Sequence, residues 1–229
     1  MSGCPSWAKT SGCRKIGGYN LKTAIIFDLD GTLLDTLGDL HAATNHVLAQ
    51  FGYPQRTIHE VCRFVGNGAE RLIRLAVPEG EDWEPVLAAF QTYYAAHCDI
   101  LTGPYDGIPE ALAVLGEKYP LAVVSNKPDR AVKELAKIYF PTLFARGEST
   151  DCPRKPAPDM VFKAMEALGV DRCVYVGDSD VDIATAKNAG VKCLSVLWGF
   201  RDRECLQDAG AEYFCQSADR LLPMLESML

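Results

Sequence analysis

No stretch of this 229-residue sequence is long and apolar enough to cross a bilayer, although 48% of its residues are hydrophobic. A helical membrane span is thereby excluded, and the apolar content is left for a core. Nor is there a block of basic residues: 23 Lys and Arg stand against 30 Asp and Glu, a net charge of −7. Residues 1–20 hold Lys9, Arg14 and Lys15 and no acid, so residues 21–229 carry −10 (−7 minus 3). An acidic body argues against nucleic acid as the main partner. The nine cysteines are odd in number and form no CxxC pair, which speaks against a disulfide framework or a zinc site. Reduced thiols in a cytoplasmic protein are the plainer expectation. His41, His46, His59 and His97 lack metal-ligand spacing and read as surface or core residues. There is no internal repeat. The opening twenty residues lack the apolar core of a signal peptide and show no periodicity. We expect residues 1–20 to be a disordered leader or extension outside the fold.

What remains is well patterned. "IIFD" at 25–28 reads as a short buried strand ended by the turn Gly31-Thr32. From Leu37 the apolar period becomes helical, with Leu37, Leu40, Val47, Leu48 and Phe51 on one stripe. Further short helices follow, and the spacing predicts that residues 37–104 are all helical with no strand. From residue 105 helices and strands alternate, with strands at 121–125, 143–145, 173–177, 192–197 and 212–214. Such alternation implies a parallel sheet covered on both faces, to which strand 25–28 belongs. The expected architecture is a doubly wound α/β domain made of residues 21–36 and 105–229, interrupted by a helical domain at 37–104.

In such sheets ligands bind beyond the carboxyl ends of the strands. Polar residues gather at those ends: Asp28 and Asp30, then Ser125-Asn126, then Asp178-Ser179 followed by Asp182. Between the last two groups, "CPRKPAPD" holds Lys155 between prolines before a helix. Asp28 and Asp30 lie on the same side of an extended chain, where two carboxylates repel unless a cation joins them. Acids gather a hard divalent cation such as Mg²⁺, and a hydroxyl, backbone N–H groups and a lysine suit a phosphate. With no His or Cys in the set, Mg²⁺ is expected over zinc.

"DLDGT", "SN", the lysine before "PAP" and "GDSDVD", in this order, resemble the motifs of the haloacid dehalogenase superfamily in its phosphatase branch. The resemblance covers about residues 22–215, with the helical insert similar to that superfamily's cap. It implies that Asp28 is the nucleophile that forms an aspartyl-phosphate and Asp30 the general acid and base. It further implies that Gly31, Thr32, Ser125, Asn126 and Lys155 serve the phosphate, with Thr32 setting the geometry of Asp30. Mg²⁺ would be held by Asp28, the Asp30 carbonyl and Asp178, and Asp182 would join the metal cluster by orienting its waters or Lys155. Asp30 argues against a dehalogenase, which lacks an acid there. The absence of lysine from residues 37–104 argues against a phosphonate hydrolase, whose cap supplies a Schiff-base lysine.

Within the cap, "VGNGAERLIRLA" is similar to the cap loop of phosphoglycolate phosphatases, as are "SNKP" and "LWGFR" elsewhere. Gly66, Asn67 and Gly68 precede a helix whose free N–H groups could receive an anion, and Arg71 sits on that helix. The function implied is Mg²⁺-dependent hydrolysis of a small phosphomonoester, with 2-phosphoglycolate leading. A pyrophosphatase and a phosphosugar phosphatase or mutase of the same superfamily are the alternatives, and a catalytically silent binding scaffold is the alternative of another class. The expected partner is a small phosphorylated metabolite, with neither nucleic acid nor membrane involved, and the chain acts as a monomer or homodimer. "DSDVDIATAKNA" departs from a calcium loop at its sixth and twelfth positions.

Overall fold

The computed structural model describes residues 22–229, so the expectation for residues 1–20 lies outside the described residues. The chain runs β1 (Thr23–Phe27), β2 (Leu34–Asp35), α1 (Leu37–Gln50), α2 (Ile58–Phe64), α3 (Gly68–Ala76), α4 (Glu84–Ala95) and β3 (Gly103–Pro104). It continues through α5 (Ile108–Gly116), β4 (Leu121–Pro128), α6 (Asp129–Tyr139), β5 (Phe144–Glu148), α7 (Asp159–Leu168) and β6 (Arg172–Gly177). It closes with α8 (Asp180–Ala189), β7 (Lys192–Val196), α9 (Arg203–Asp208), β8 (Tyr213–Cys215) and α10 (Leu221–Met228).

Six strands form one sheet in the order β5-β4-β1-β6-β7-β8, and every pairing is parallel. β1 is central, paired on both edges, and Ala24 to Phe27 are fully buried, as expected of an apolar strand covered on both faces. Ile25 and Phe27 pack into the larger core, while Ala24 and Ile26 face a second cluster with Met160, Ala164 and Tyr175 beneath α7 and α8. Helices α1 to α4 form the helical insert. They pack on each other through Val47, Leu48, Val61, Leu72, Ile73 and Phe90. None of the described helices is long and apolar enough to cross a membrane.

The structure corrects the reading of residues 37–104 as free of strand. Gly103–Pro104 pairs antiparallel with Leu34–Asp35, a two-residue ladder where the chain leaves and re-enters the α/β domain. A ladder that short has no periodicity to detect. α9 is likewise unanticipated. β4 runs to Pro128, three residues beyond expectation, with its register against β5 shifting between Ser125 and Pro128.

Candidate active site

β1 aims its last residues at the carboxyl edge of the sheet. The Asp28 N–H still bonds the Val176 carbonyl at 2.8 Å, extending the ladder with β6 by one residue. Leu29 turns down into the core, so Asp28 and Asp30 share the upper side. Gly31 then reverses the chain at φ 80°. A Cβ there would run into the Asp178 carboxylate and the Phe200 ring, so glycine is required both by conformation and by space.

The candidate residues from three strand ends meet around Lys155. Its Nζ lies 2.8 Å from Asp28 Oδ1 and 2.7 Å from Asp182 Oδ1, and donates to Tyr175 Oη at 3.1 Å. Burial alone would push the ammonium's pKa down, but Asp182 and Asp28 outweigh it and hold the group above the ordinary lysine range. Asn126 fixes the lysine loop by both backbone groups: its Oδ1 accepts from Lys155 N at 2.6 Å and its Nδ2 donates to Lys155 O at 3.0 Å. Asp182 sits in the first turn of α8, in a reciprocal capping box with Ser179. Its Oδ2 accepts from the Ser179 hydroxyl at 2.6 Å and from the backbone N–H groups of Ser179 and Asp178. A Cβ on Gly177 would collide with this carboxylate. Both Asp182 oxygens are thus occupied, and its place is beside Lys155.

Thr32 is placed differently from expectation. Its hydroxyl donates to Asp178 Oδ1 at 3.2 Å and does not reach Asp30. Asp178 Oδ2 accepts the Phe200 N–H at 2.7 Å. Burial, reinforced by Asp182 and opposed by that N–H, pushes the Asp178 carboxyl up to about 7. Burial and then Asp182 also hold Asp28 well above the carboxylate range, against the pull of Lys155.

These shifts have one electrostatic cause. Asp28, Asp178 and Asp182 can each present an oxygen within 4.8 Å of the others, and all three are buried. With all three acids ionised, one ammonium leaves two negative charges uncompensated, and this adds to burial in raising the pKa values of Asp28 and Asp178. A divalent cation supplies that charge, and an oxygen-only donor set suits a hard one. Asp28 Oδ1 is buried and meets the Lys155 ammonium alone among the described residues, which leaves it capacity for a second cation. The residues present therefore fit a hard divalent ion.

Above this cluster lies a cavity of about 370 Å³, lined from the sheet by Asp28, Asp30, Ser125, Asn126, Asp178 and Ser179. The insert contributes Leu40, Val65, Gly66, Gly68, Ala69, Leu72, Phe90 and Tyr94. Gly31, Thr32, Lys155 and Asp182 lie behind this wall rather than in it. Of the four cap candidates, Gly66 and Gly68 reach the cavity; Asn67 does not, and Arg71 is exposed. Arg74, which shares its helix, is exposed too, pairing with Glu70 and lying over Trp83.

Sequence reasoning missed the groups that join the two parts. Arg201 donates to the carbonyls of Cys62 at 3.0 Å and Val65 at 2.6 Å, at the C-terminal end of α2 where a cation is favoured. Asn126 and Gly66, both candidates in the sequence, are joined in a way it did not show: Asn126 Nδ2 donates to the Gly66 carbonyl at 3.1 Å. Lys127 Nζ lies 3.0 Å from Asp30 Oδ1 and donates to the Tyr94 hydroxyl at 2.8 Å. Lys127 and Arg201 were visible in "SNKP" and "LWGFR", but nothing local distinguishes a buried lysine or arginine from a solvated one.

A doubly wound parallel sheet with an acid cluster at its carboxyl edge and a helical insert closing over it defines a capped α/β hydrolase. The chain belongs to the haloacid dehalogenase-like hydrolases, whose family model matches residues 25–196. It is 34% identical to a phosphoglycolate phosphatase of Pseudomonas putida over 83% of this chain and 75% of that one. It is 35% identical to an N-acetylmuramic acid 6-phosphate phosphatase of Pseudomonas aeruginosa over 77% of this chain and 82% of that one. A solved candidate phosphoglycolate phosphatase from Lactobacillus delbrueckii superimposes with a TM-score of 0.84 at 38% identity, covering 91% of this chain and 99% of that chain. The protein is a phosphatase of the phosphoglycolate phosphatase-like type.

Proposed function

We propose that the chain hydrolyses a small anionic phosphomonoester with Mg²⁺, through an aspartyl-phosphate on Asp28, and that 2-phosphoglycolate is the leading substrate. The observation that carries this reading is the buried cluster of Asp28, Asp178, Asp182 and Lys155, two charges short of neutrality when ionised, opening into a cavity between the sheet edge and the helical insert. In this reading residues 37–104 are the cap and residues 21–36 with 105–229 the core.

Asp28 attacks phosphorus as the alcohol oxygen leaves, and Asp30 gives that oxygen its proton. Asp30 then takes a proton from the water that hydrolyses the aspartyl-phosphate. Lys155, held by Asp182, offsets the charge shared by Asp28 and the phosphoryl group, while the Ser125 hydroxyl and the Asn126 N–H hold phosphoryl oxygens. Mg²⁺, when bound by Asp28, Asp178 and the Asp30 carbonyl, adds charge stabilisation to the same oxygens. Thr32 and Phe200 orient Asp178 for that role.

The core addresses only the phosphoryl group, so the substrate is chosen by the cavity. Its volume lies at the small end of ligand sites, which favours a compact acid. The similarity to the N-acetylmuramic acid 6-phosphate phosphatase supports a second reading, an acid-bearing phosphosugar. A panel ranked by kcat/KM separates them: 2-phosphoglycolate, pyrophosphate, neutral sugar phosphates, N-acetylmuramic acid 6-phosphate and p-nitrophenyl phosphate. We expect 2-phosphoglycolate first. Neutral sugar phosphates ranking above it would remove it as the substrate, and no phosphate release from any ester with Mg²⁺ present would remove the enzymatic reading.

A further inference from the structure

Lys127 is a buried cation in the cavity wall to which neither the motifs nor the proposed chemistry give a task. Its side chain is 4% exposed. A lysine so placed is costly to desolvate and persists where its charge is used. Asp30 Oδ1 lies 3.0 Å away as its ion-pair partner. The Tyr94 hydroxyl takes one N–H at 2.8 Å, and the ammonium stands 4.6 Å from that ring's centre. An ammonium carries three N–H donors. Two of them face Tyr94 and Asp30 among the described residues, which leaves one for a ligand in the cavity.

Other cations at the cavity are committed elsewhere. Arg201 is spent on the Cys62 and Val65 carbonyls, and Arg130 is 88% exposed and paired with Glu134. Arg71 is exposed outside the cavity. Lys155 is saturated by Asp28, Asp182 and Tyr175. Resting on the reading above, we propose that Lys127, steadied by Tyr94, is the specificity-determining residue that receives the carboxylate of the phosphomonoester. In 2-phosphoglycolate the carboxyl carbon is two bonds from the ester oxygen. A carboxylate so close to the oxygen that Asp30 must protonate falls beside the lysine that touches Asp30. Tyr94 comes from the cap and Lys127 from the core, so this anion is read only where the two parts meet.

The test compares 2-phosphoglycolate with 2-hydroxyethyl phosphate, which replaces the carboxylate by a neutral alcohol. Any effect of Lys127→Met on Asp30 or on cap closure falls on both esters; loss of the carboxylate contact falls on one. We expect the ratio of kcat/KM values to drop about 30-fold or more in Lys127→Met, the scale for removing one partner of a buried charge pair. Lys127→Arg should keep part of the ratio, and Tyr94→Phe should lower it by a smaller factor through KM for 2-phosphoglycolate. If Lys127→Met is insoluble, those two variants carry the test, and an unchanged ratio in both overturns the inference. A flat ratio against an active wild type overturns this inference alone. A wild-type ratio below one overturns 2-phosphoglycolate as substrate, while a further drop on substitution still assigns the lysine to the anion. Turnover of neither ester by the wild type overturns the reading and the inference together.

Discussion

Asp28 and Asp30 differ by two positions and by everything around them. Both line the cavity, but Asp28 faces Lys155 and two further acids, whereas Asp30 faces Lys127. Their substitutions should therefore fail differently. Asp28→Asn should abolish both turnover and any trapped phosphoryl-enzyme, because the amide is no nucleophile; labelled phosphate recovered on another residue would refute the assignment. Asp30→Asn should cost about 10²–10⁴-fold with alkyl esters and much less with p-nitrophenyl phosphate, whose leaving group needs no proton. Gly31→Ala should destabilise by about 1–2 kcal/mol from its left-handed backbone alone. It should also raise the Mg²⁺ concentration needed for half-maximal activity, since the new Cβ displaces Asp178. The pair of acids and Lys155 were legible in the sequence because "DLDGT" and the proline-flanked lysine are local patterns. The partner of Thr32 was not, because Asp178 is 146 residues away.

At the level of elements, two short connections join the helical insert to the sheet domain. β2 and β3 run side by side, and the Asp39 carboxylate in the first turn of α1 accepts the N–H groups of Leu101 and Thr102 at 2.9–3.0 Å. Asp39 is buried, so these charge-assisted bonds are not shared with water. Asp39→Ala should cost about 2–3 kcal/mol, a fall in Tm of roughly 4–12 °C for a chain of this size. We place the hinges of cap opening beside this clamp, near residues 36–38 and 103–106, and cross-linking the two spans should slow turnover without changing the fold. Asp129 does comparable work for β5. Burial would raise its pKa, but the Gly147 N–H, Lys133 and Arg146 outweigh it and hold the carboxyl below its ordinary value. A depressed carboxylate adds stability above the unfolded pKa and loses it as pH falls through the folded one. Asp129→Asn should thus lower Tm near neutral pH, and the gap should narrow as pH falls through the depressed folded pKa, below the ordinary carboxylate value. A gap that persists in acid would contradict this.

Over the whole molecule, the decisive quantity is the uncompensated charge under the cap. Three acids and one lysine confined together oppose folding until a cation joins them. Mg²⁺ should therefore stabilise as well as activate: at a hundredfold excess over Kd the gain is about 2.7 kcal/mol, or roughly 5–10 °C in Tm. Treatment with EDTA should remove both, and Asp178→Asn should remove the Mg²⁺-dependent shift. Ca²⁺, larger and looser in its coordination, should bind yet inhibit by misplacing Asp28. Full turnover in metal-free buffer would contradict the reading.

The sequence by itself determined the parallel sheet, the helical insert and the strand ends that carry acids, because apolar period, turn residues and motif spacing are properties of neighbouring residues. It placed Asp28, Asp178, Asp182 and Lys155 at positions that any doubly wound sheet brings to one edge. The tertiary structure alone decided which way each side chain spends its hydrogen bonds. It gave Thr32 to Asp178, put Asp182 beside Lys155, turned Arg71 outward and buried Lys127 between Asp30 and Tyr94. Those choices rest on partners that lie far away in the chain and on the different costs of exposing or burying a charge, and neither is written in a local pattern.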